Sequence, residues 1–177
     1  MSVIKENAYA KLNLCLSVGD KAENGYHFIE SVMQTVSLSD TLWVETAEDI
    51  RLEGNAPYLP TNEKNLAYRA AQAFFKASGI KGGARIRLEK RVPVCAGLGG
   101  GSADAAAVLR ALNKLYGAPL SQTALAEAAS TLGADVPFCV SGGTAFAFGF
   151  GEKLCPLPSA KLYFVLITDS TPLSTPQ

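Results

Sequence analysis

Residues 97–112, GLGGGSADAAAVLRAL, decide how this chain is read. Four of the first five, Gly97, Gly99, Gly100 and Gly101, are glycine, and the segment then turns straight into an alanine-rich helical pattern. Fixing glycine costs conformational entropy, so this density asks for a sharp bend or for something that approaches bare backbone closely. Upstream, residues 84–89 alternate as a strand does. Downstream, Ala105, Val108, Leu109, Leu112 and Leu115 recur at helical spacing as far as Gly117. A strand, a glycine run and a helix N-terminus in that order make an anion site: successive amides point inward and the helix dipole favours negative charge. Ser102 reads as a helix cap or a hydroxyl donor, Asp104 falls in the first turn, and a side chain at Gly100 would stand in a phosphate's path. The common phosphate patterns do not fit. No lysine lies between Arg91 and Lys114, as a Walker loop requires, and G-x-G-x-x-G begun at Gly97 meets Ser102 in place of its third glycine. The H-R-D and D-F-G marks of protein kinases are missing.

Outward from this loop, Leu12, Leu14, Leu16 and Val18 alternate with Lys11, Asn13, Cys15 and Ser17, the period of a half-buried strand. Residues 28–38 and 41–46 read as two further strands, broken at Ser39-Asp40. A polar, proline-containing stretch, 54–65, precedes a helix over 66–78 that Gly79 closes. A second helix starts at Ser121 and buries Leu125, Ala128, Ala129 and Leu132. Strands over 144–148 and 162–168 complete the pattern, so the fold class is α+β, a sheet with helices packed on one side. The end, from Asp169 to Gln177, reads as a loop-like tail or the start of something further.

With 177 residues, 48% hydrophobic and 18% charged, the chain can bury a real core in one domain or one and a half. Sixteen Lys plus Arg balance sixteen Asp plus Glu, which leaves no basic field to gather nucleic acid or an anionic membrane. Met1 is followed by no apolar core of signal-peptide length, and no apolar run reaches the ~20 residues of a membrane span. Cys15, Cys95, Cys139 and Cys155 are far apart and form no CxxC pair. They suggest reduced thiols in a cytoplasmic protein, without a zinc site or disulfide framework.

The run Pro93-Val94-Cys95-Ala96-Gly97-Leu98-Gly99-Gly100-Gly101-Ser102-Ala103 resembles the phosphate loop of the GHMP kinases, the superfamily of galactokinase, homoserine kinase and mevalonate kinase. Two more stretches, AKLNLCLSVGDKAENGYH (10–27) and LGADVPFCVSGGTAFAFGFGEKL (132–154), narrow the resemblance to one branch, the 4-diphosphocytidyl-2-C-methyl-D-erythritol kinases. It covers nearly the whole chain, in order. It implies a two-domain α/β kinase whose N-terminal domain is like domain 2 of ribosomal protein S5. Residues 1–160 would be that ATP-binding domain and 161–177 the start of a second. Members continue for roughly another hundred residues, a domain's worth.

The resemblance also implies a reaction: phosphorylation by ATP, with Mg²⁺, of the 2-hydroxyl of 4-diphosphocytidyl-2-C-methyl-D-erythritol, in non-mevalonate isoprenoid synthesis. Residues 93–103 would hold ATP, with Asn65 near adenine. Asp135 would be the catalytic base and Lys11 its partner at the acceptor hydroxyl, with Asn13 on the same strand face. Tyr26 would stack on the cytosine and His27, the sole histidine, would bond its edge. Taken from spacing alone, Lys11 reads better as a solvated strand lysine, Asp135 as a turn or cap residue, and Asn65 as a helix cap; the resemblance reverses the first two. Departures from the pattern include Tyr9 for a usual proline and Phe150 for a usual arginine, while Cys95 and Cys139 read as packing residues. Another GHMP small-molecule kinase, of mevalonate or homoserine type, remains the second reading, and a nucleotide- or RNA-binding module on the same fold the third. Zero net charge and no basic stripe weigh against RNA. Oligomeric state stays open.

Overall fold

A strand of 21 residues, β2 (His27–Ala47), organises the sheet. The computed structural model describes residues 2–22, 25 and 27–167. β1 (Val3–Lys21) runs antiparallel along one edge of β2. The other edge is shared by β4 (Gly83–Glu89), against residues 41–47, and β5 (Thr144–Gly149), against residues 29–34, both antiparallel. β3 (Arg51–Gly54) lies parallel to β4 and β6 (Lys153–Leu157) antiparallel to β5, which completes a six-stranded mixed sheet. Between residues 34 and 41 this edge of β2 pairs with no strand among the described residues, and the Thr35 amide there donates to Gly143 O at 2.9 Å.

Among the described residues four helices cover one face: α1 (Leu66–Ser78), α2 (Gly100–Leu115), α3 (Gln122–Ser130) and α4 (Val136–Ser141). Strand alternation explains why. Leu42, Val44, Ala84, Ile86 and Leu88 point into the helices and are buried. Their neighbours point away, where the Arg87 guanidinium lies 4.1 Å from the Trp43 ring centre on the open face. α2 is central. Every residue from Ala103 to Leu112 except Arg110 is buried, because the sheet, α1, α3 and α4 all pack on this helix. Its run of alanines lets those elements approach closely, and Leu109 and Leu112 fill the deepest layer.

The caps of α1 and the N-cap of α3 match the sequence. The Asn65 side-chain oxygen accepts from the Ala67 amide at 2.9 Å, its amide donates to Pro60 O at 2.9 Å, and Gly79 closes α1 at φ +68°. Asn65→Ala is expected to lower unfolding free energy by about 1 kcal/mol, read as a shift of the urea midpoint; an unmoved midpoint would assign the cap no weight. The Ser121 hydroxyl accepts from the Ala124 amide in the same way.

Several expectations fail, each for a tertiary reason. β2 does not break at Ser39-Asp40. Asp40 stays in the strand, fully buried, because its carboxylate accepts from the Arg91 and Val92 amides at 2.5 and 2.8 Å. The apolar face of β1 beyond Leu12 is not half-buried: Leu14, Leu16 and Val18 are exposed, since the β1–β2 arm extends past the helix layer. Residues 162–167 form no strand, and Val165 and Ile167 are 90% and 94% exposed. A strand needs a ladder partner, and among the described residues none pairs with this run; Thr168 and the tail beyond it lie outside the described residues. β3, α4 and β6 were not read from the sequence. α4 hides in Val136-Pro137, where proline near the first helical position starts a helix.

Candidate active site

After β4 the chain runs through residues 90–99 to the start of α2. Gly97 and Gly99 take φ +72° and +66°, and Cys95, though not glycine, takes +58°. α2 begins at Gly100 with Gly99 in the cap position and no side-chain cap. The amides of Gly100, Gly101 and Ser102 therefore have no acceptor inside the helix, which is what an anion site at a helix N-terminus consists of. Ala103 is different. Its amide donates to Gly99 O at 2.8 Å and its side chain lies in the core, so it offers nothing to a ligand. Ser102 is not the cap, since the helix starts two residues before it; it sits in the first turn beside a cleft of about 710 Å³ lined by residues 93–102, Lys11, Asn13, Asn65, Lys90, Asp104 and Asp135.

The glycines divide into two roles. A Cβ on Gly99 would lie 2.9 Å from Lys11 Cγ and 3.1 Å from its Cε, so this glycine makes room for the Lys11 stem. A Cβ on Gly100 would face Val92 Cγ1 at 3.1 Å and Lys90 Nζ at 3.3 Å. It would point into the protein and not into the path of a phosphate, contrary to the sequence expectation. Periodicity gives a glycine's position but not which way its absent side chain would aim.

β1 brings Lys11 to the loop. Its amide, on the strand edge away from β2, donates to Leu98 O at 2.9 Å. A register shift between Tyr9 and Lys11 re-aims the strand there. The Lys11 side chain is only 7% exposed, and its ammonium lies 3.1 Å from Asp135 Oδ2 and 3.4 Å from Asn13 Oδ1. Asp135 occupies the cap position of α4, yet its carboxylate makes no cap hydrogen bond. The carboxylate is turned instead to Lys11 and is 30% exposed at the cleft. Lys11, Asn13 and Asp135 are thus gathered on the rim of the glycine cleft.

Beneath the loop lies a cluster that the sequence did not reveal. Lys90 Nζ is 2.5 Å from Asp40 Oδ2 and 2.8 Å from Asp104 Oδ2, all three side chains being buried. One signal could have found Asp104: it stands four residues before Val108, on the buried stripe of α2. Asp40 gave the opposite signal, since a carboxylate inside an apolar run reads as a break.

Asn65 lines the cleft while serving as cap of α1. His27 lies elsewhere. It begins β2, with Nδ1 3.0 Å from Gly19 O, and stands eight residues from Thr35, the ladder partner of Lys11, or about 27 Å along an extended strand. Tyr26 lies outside the described residues. Phe150, where the resemblance has arginine, stacks on Phe28 with ring centres 5.0 Å apart. Cys139 does pack, and burial, with the Asp135 charge adding to it, pushes its thiol up to about 12. Cys95 does not pack; it is exposed on the loop. Among the described residues no group of three or more His, Cys, Asp or Glu side chains is placed to hold a metal, and no helix is long and apolar enough to cross a membrane.

Residues 65–143 match the family described as GHMP kinases N terminal domain. A curated 4-diphosphocytidyl-2-C-methyl-D-erythritol kinase of Clostridium beijerinckii is 46% identical over 159 residues, 89% of this chain and 57% of that protein. A crystal structure of 4-(cytidine 5'-diphospho)-2C-methyl-D-erythritol kinase matches with a TM-score of 0.73 at 49% identity, over 87% of this chain and 55% of that one. Methanococcus jannaschii mevalonate kinase matches with a TM-score of 0.66 at 14% identity, over 89% of this chain and 56% of that one, and so shares the fold alone. This chain spans a little over half the length of the curated relatives it matches. In sheet, helices and sequence alike this chain is similar to the GHMP kinases, and the match to their N-terminal domain, residues 65–143, runs from the cap of α1 past the end of α4.

Proposed function

We propose that this chain binds ATP in the glycine cleft and serves phosphoryl transfer to the 2-hydroxyl of 4-diphosphocytidyl-2-C-methyl-D-erythritol, a step toward isoprenoids. The observation that carries the reading is the Lys11–Asp135 pair, 3.1 Å apart, on the rim of a cleft whose other wall is the open end of α2. Phosphoryl transfer asks little covalent chemistry of a protein; it asks for positioning and for charge where charge develops. The amides of Gly100, Gly101 and Ser102 receive phosphate oxygens. Asp135 accepts the proton of the acceptor hydroxyl or orients it. The Lys11 ammonium fixes the direction of that carboxylate and offers positive charge toward the transferring group, while Asn13 holds the ammonium from the other side.

Mg²⁺ would arrive with ATP, held mainly by the phosphates and by waters, and would neutralise phosphate charge there. The choice of acceptor rests on the curated relatives, at 46–49% identity, and on the Gly25-Tyr26-His27 element. His27, far along the arm from Lys11, favours an elongated acceptor over a compact one. Four free cysteines favour a reducing compartment, the cytoplasm.

The test is ADP formation from ATP with a panel of alcohols: the cytidyl-diphosphate erythritol, homoserine, mevalonate and galactose. Turnover confined to the cytidyl compound is the expected result. Preference for another alcohol would move the chain to a different GHMP activity, and ATP binding without any turnover would leave a nucleotide-binding module.

A further inference from the structure

Glycine does not hold a loop in shape; it permits the shape, and rigidity has to come from elsewhere. In this chain it comes from below the loop. The Lys90 ammonium lies 3.3 Å from where a Cβ on Gly100 would stand, directly under the first residue of α2. Asp104, one turn along that helix, takes one of its hydrogen bonds, and Asp40 reaches from β2 to take another. Asp40 also accepts the Arg91 and Val92 amides, which lead into the loop. One cation therefore ties the central strand, the start of the loop and the helix that ends it.

The cluster is buried: Asp40, Asp104 and Lys90 side chains are 0%, 4% and 7% exposed. It holds two carboxylates for one ammonium. Asp104 Oδ1 is buried with no hydrogen-bond partner. A bare charged oxygen in that setting is costly, whereas a protonated carboxyl is far less so.

We propose that Asp40, Lys90 and Asp104 are the positioning residues of the phosphate loop, with Asp104 as the proton-dependent member; this rests on ATP being the ligand of the cleft. Burial pushes the Asp104 carboxyl up to about 8, with Lys90 pulling it down and Asp40 adding to the rise. Burial also works against the Lys90 ammonium, but Asp104 and Asp40 more than offset it and hold it above the usual lysine value. The charges acting on Asp104 are Lys90, after β4, and Asp40, on β2; Lys11 of β1, Arg69 and Lys76 of α1 and Asp135 before α4 exert none that is resolved. Cys139 of α4 feels the Asp104 charge but stays a neutral thiol.

Below the ionisation of Asp104 the cluster is neutral overall. Above it, one uncompensated negative charge sits under the amides that would receive a phosphate, and opposes it. ATP affinity therefore falls as pH rises through that ionisation. By linkage, ATP binding above it draws a proton onto the protein.

The experiment is calorimetric titration of the chain with Mg·ATP. Wild-type affinity is expected to weaken about tenfold between about pH 7 and about pH 9.5, and Asp104→Asn to show no such fall, whatever its affinity at neutral pH. A second measurement needs no variant. Titrating wild type near pH 8.5 in buffers of different ionisation enthalpy should reveal net proton uptake on binding. Equal pH profiles for wild type and Asp104→Asn, or no proton uptake, would overturn the proposal while leaving ATP binding intact. No ATP binding by wild type at any pH would instead overturn the kinase reading, and the proposal with it.

Discussion

Asp135→Asn is expected to lower kcat by about 10²–10⁴-fold, the range general-base catalysis contributes, with KM for ATP changed by no more than about threefold. The substitution keeps shape and removes the carboxylate charge. Asp135 makes no cap hydrogen bond, so the start of α4 does not depend on it, and the new amide oxygen and Asn13 Oδ1 remain as acceptors for the buried Lys11 ammonium. On the proposed reading, what is lost is the acceptor for the hydroxyl proton, together with the anion that fixes Lys11. On that reading ATP is held by other groups, the amides at 100–102, which is why binding and turnover should separate. Single-turnover transfer to the cytidyl alcohol, beside ATP titration, checks both numbers. Retention of kcat within about threefold would remove Asp135 from the chemistry, and a parallel loss of ATP affinity would make it a binding residue.

Lys90→Met is expected to cost about 3–5 kcal/mol of stability, the usual penalty for removing one partner of a buried ion pair. Methionine nearly fills the space of the lysine stem, so the loss is electrostatic in origin: the buried Asp40 and Asp104 would face each other with no cation between them. Urea denaturation reads the effect as a lowered midpoint. Adding Asp40→Leu and Asp104→Leu to Lys90→Met should not restore stability, although all-apolar replacement of a buried ionic cluster often does. The reason is specific to this cluster. Asp40 is the acceptor for the Arg91 and Val92 amides, and leucine would strand both donors. A triple variant as stable as wild type would show those two amides finding other partners, and would weaken the case that Asp40 shapes the loop.

The sequence by itself determined the parts of this protein whose physics is local. α1 lies at 66–78 as read, because Asn65 caps its first turn and Gly79 ends it in the left-handed region, and neither needs a distant neighbour. The glycine run and the buried stripe of α2 were equally legible, since a helix repeats its own face every three to four residues. The tertiary structure alone decided the rest. Asp40 meets its ammonium across 50 residues of chain, so a strand that looks broken is continuous. Leu14, Leu16 and Val18 carry a core pattern but lie on an arm beyond the helices, because alternation specifies a face and not what covers it. Gly100 shows bare backbone to the cleft and points its missing side chain at Lys90, a direction fixed by the helix packed on the sheet. Lys11 and Asp135, 124 positions apart in the chain, become a 3.1 Å pair only because β1 and α4 flank the same helix. Local propensities are settled between near neighbours in sequence; a buried charge is settled by whichever opposite charge the finished fold brings within reach.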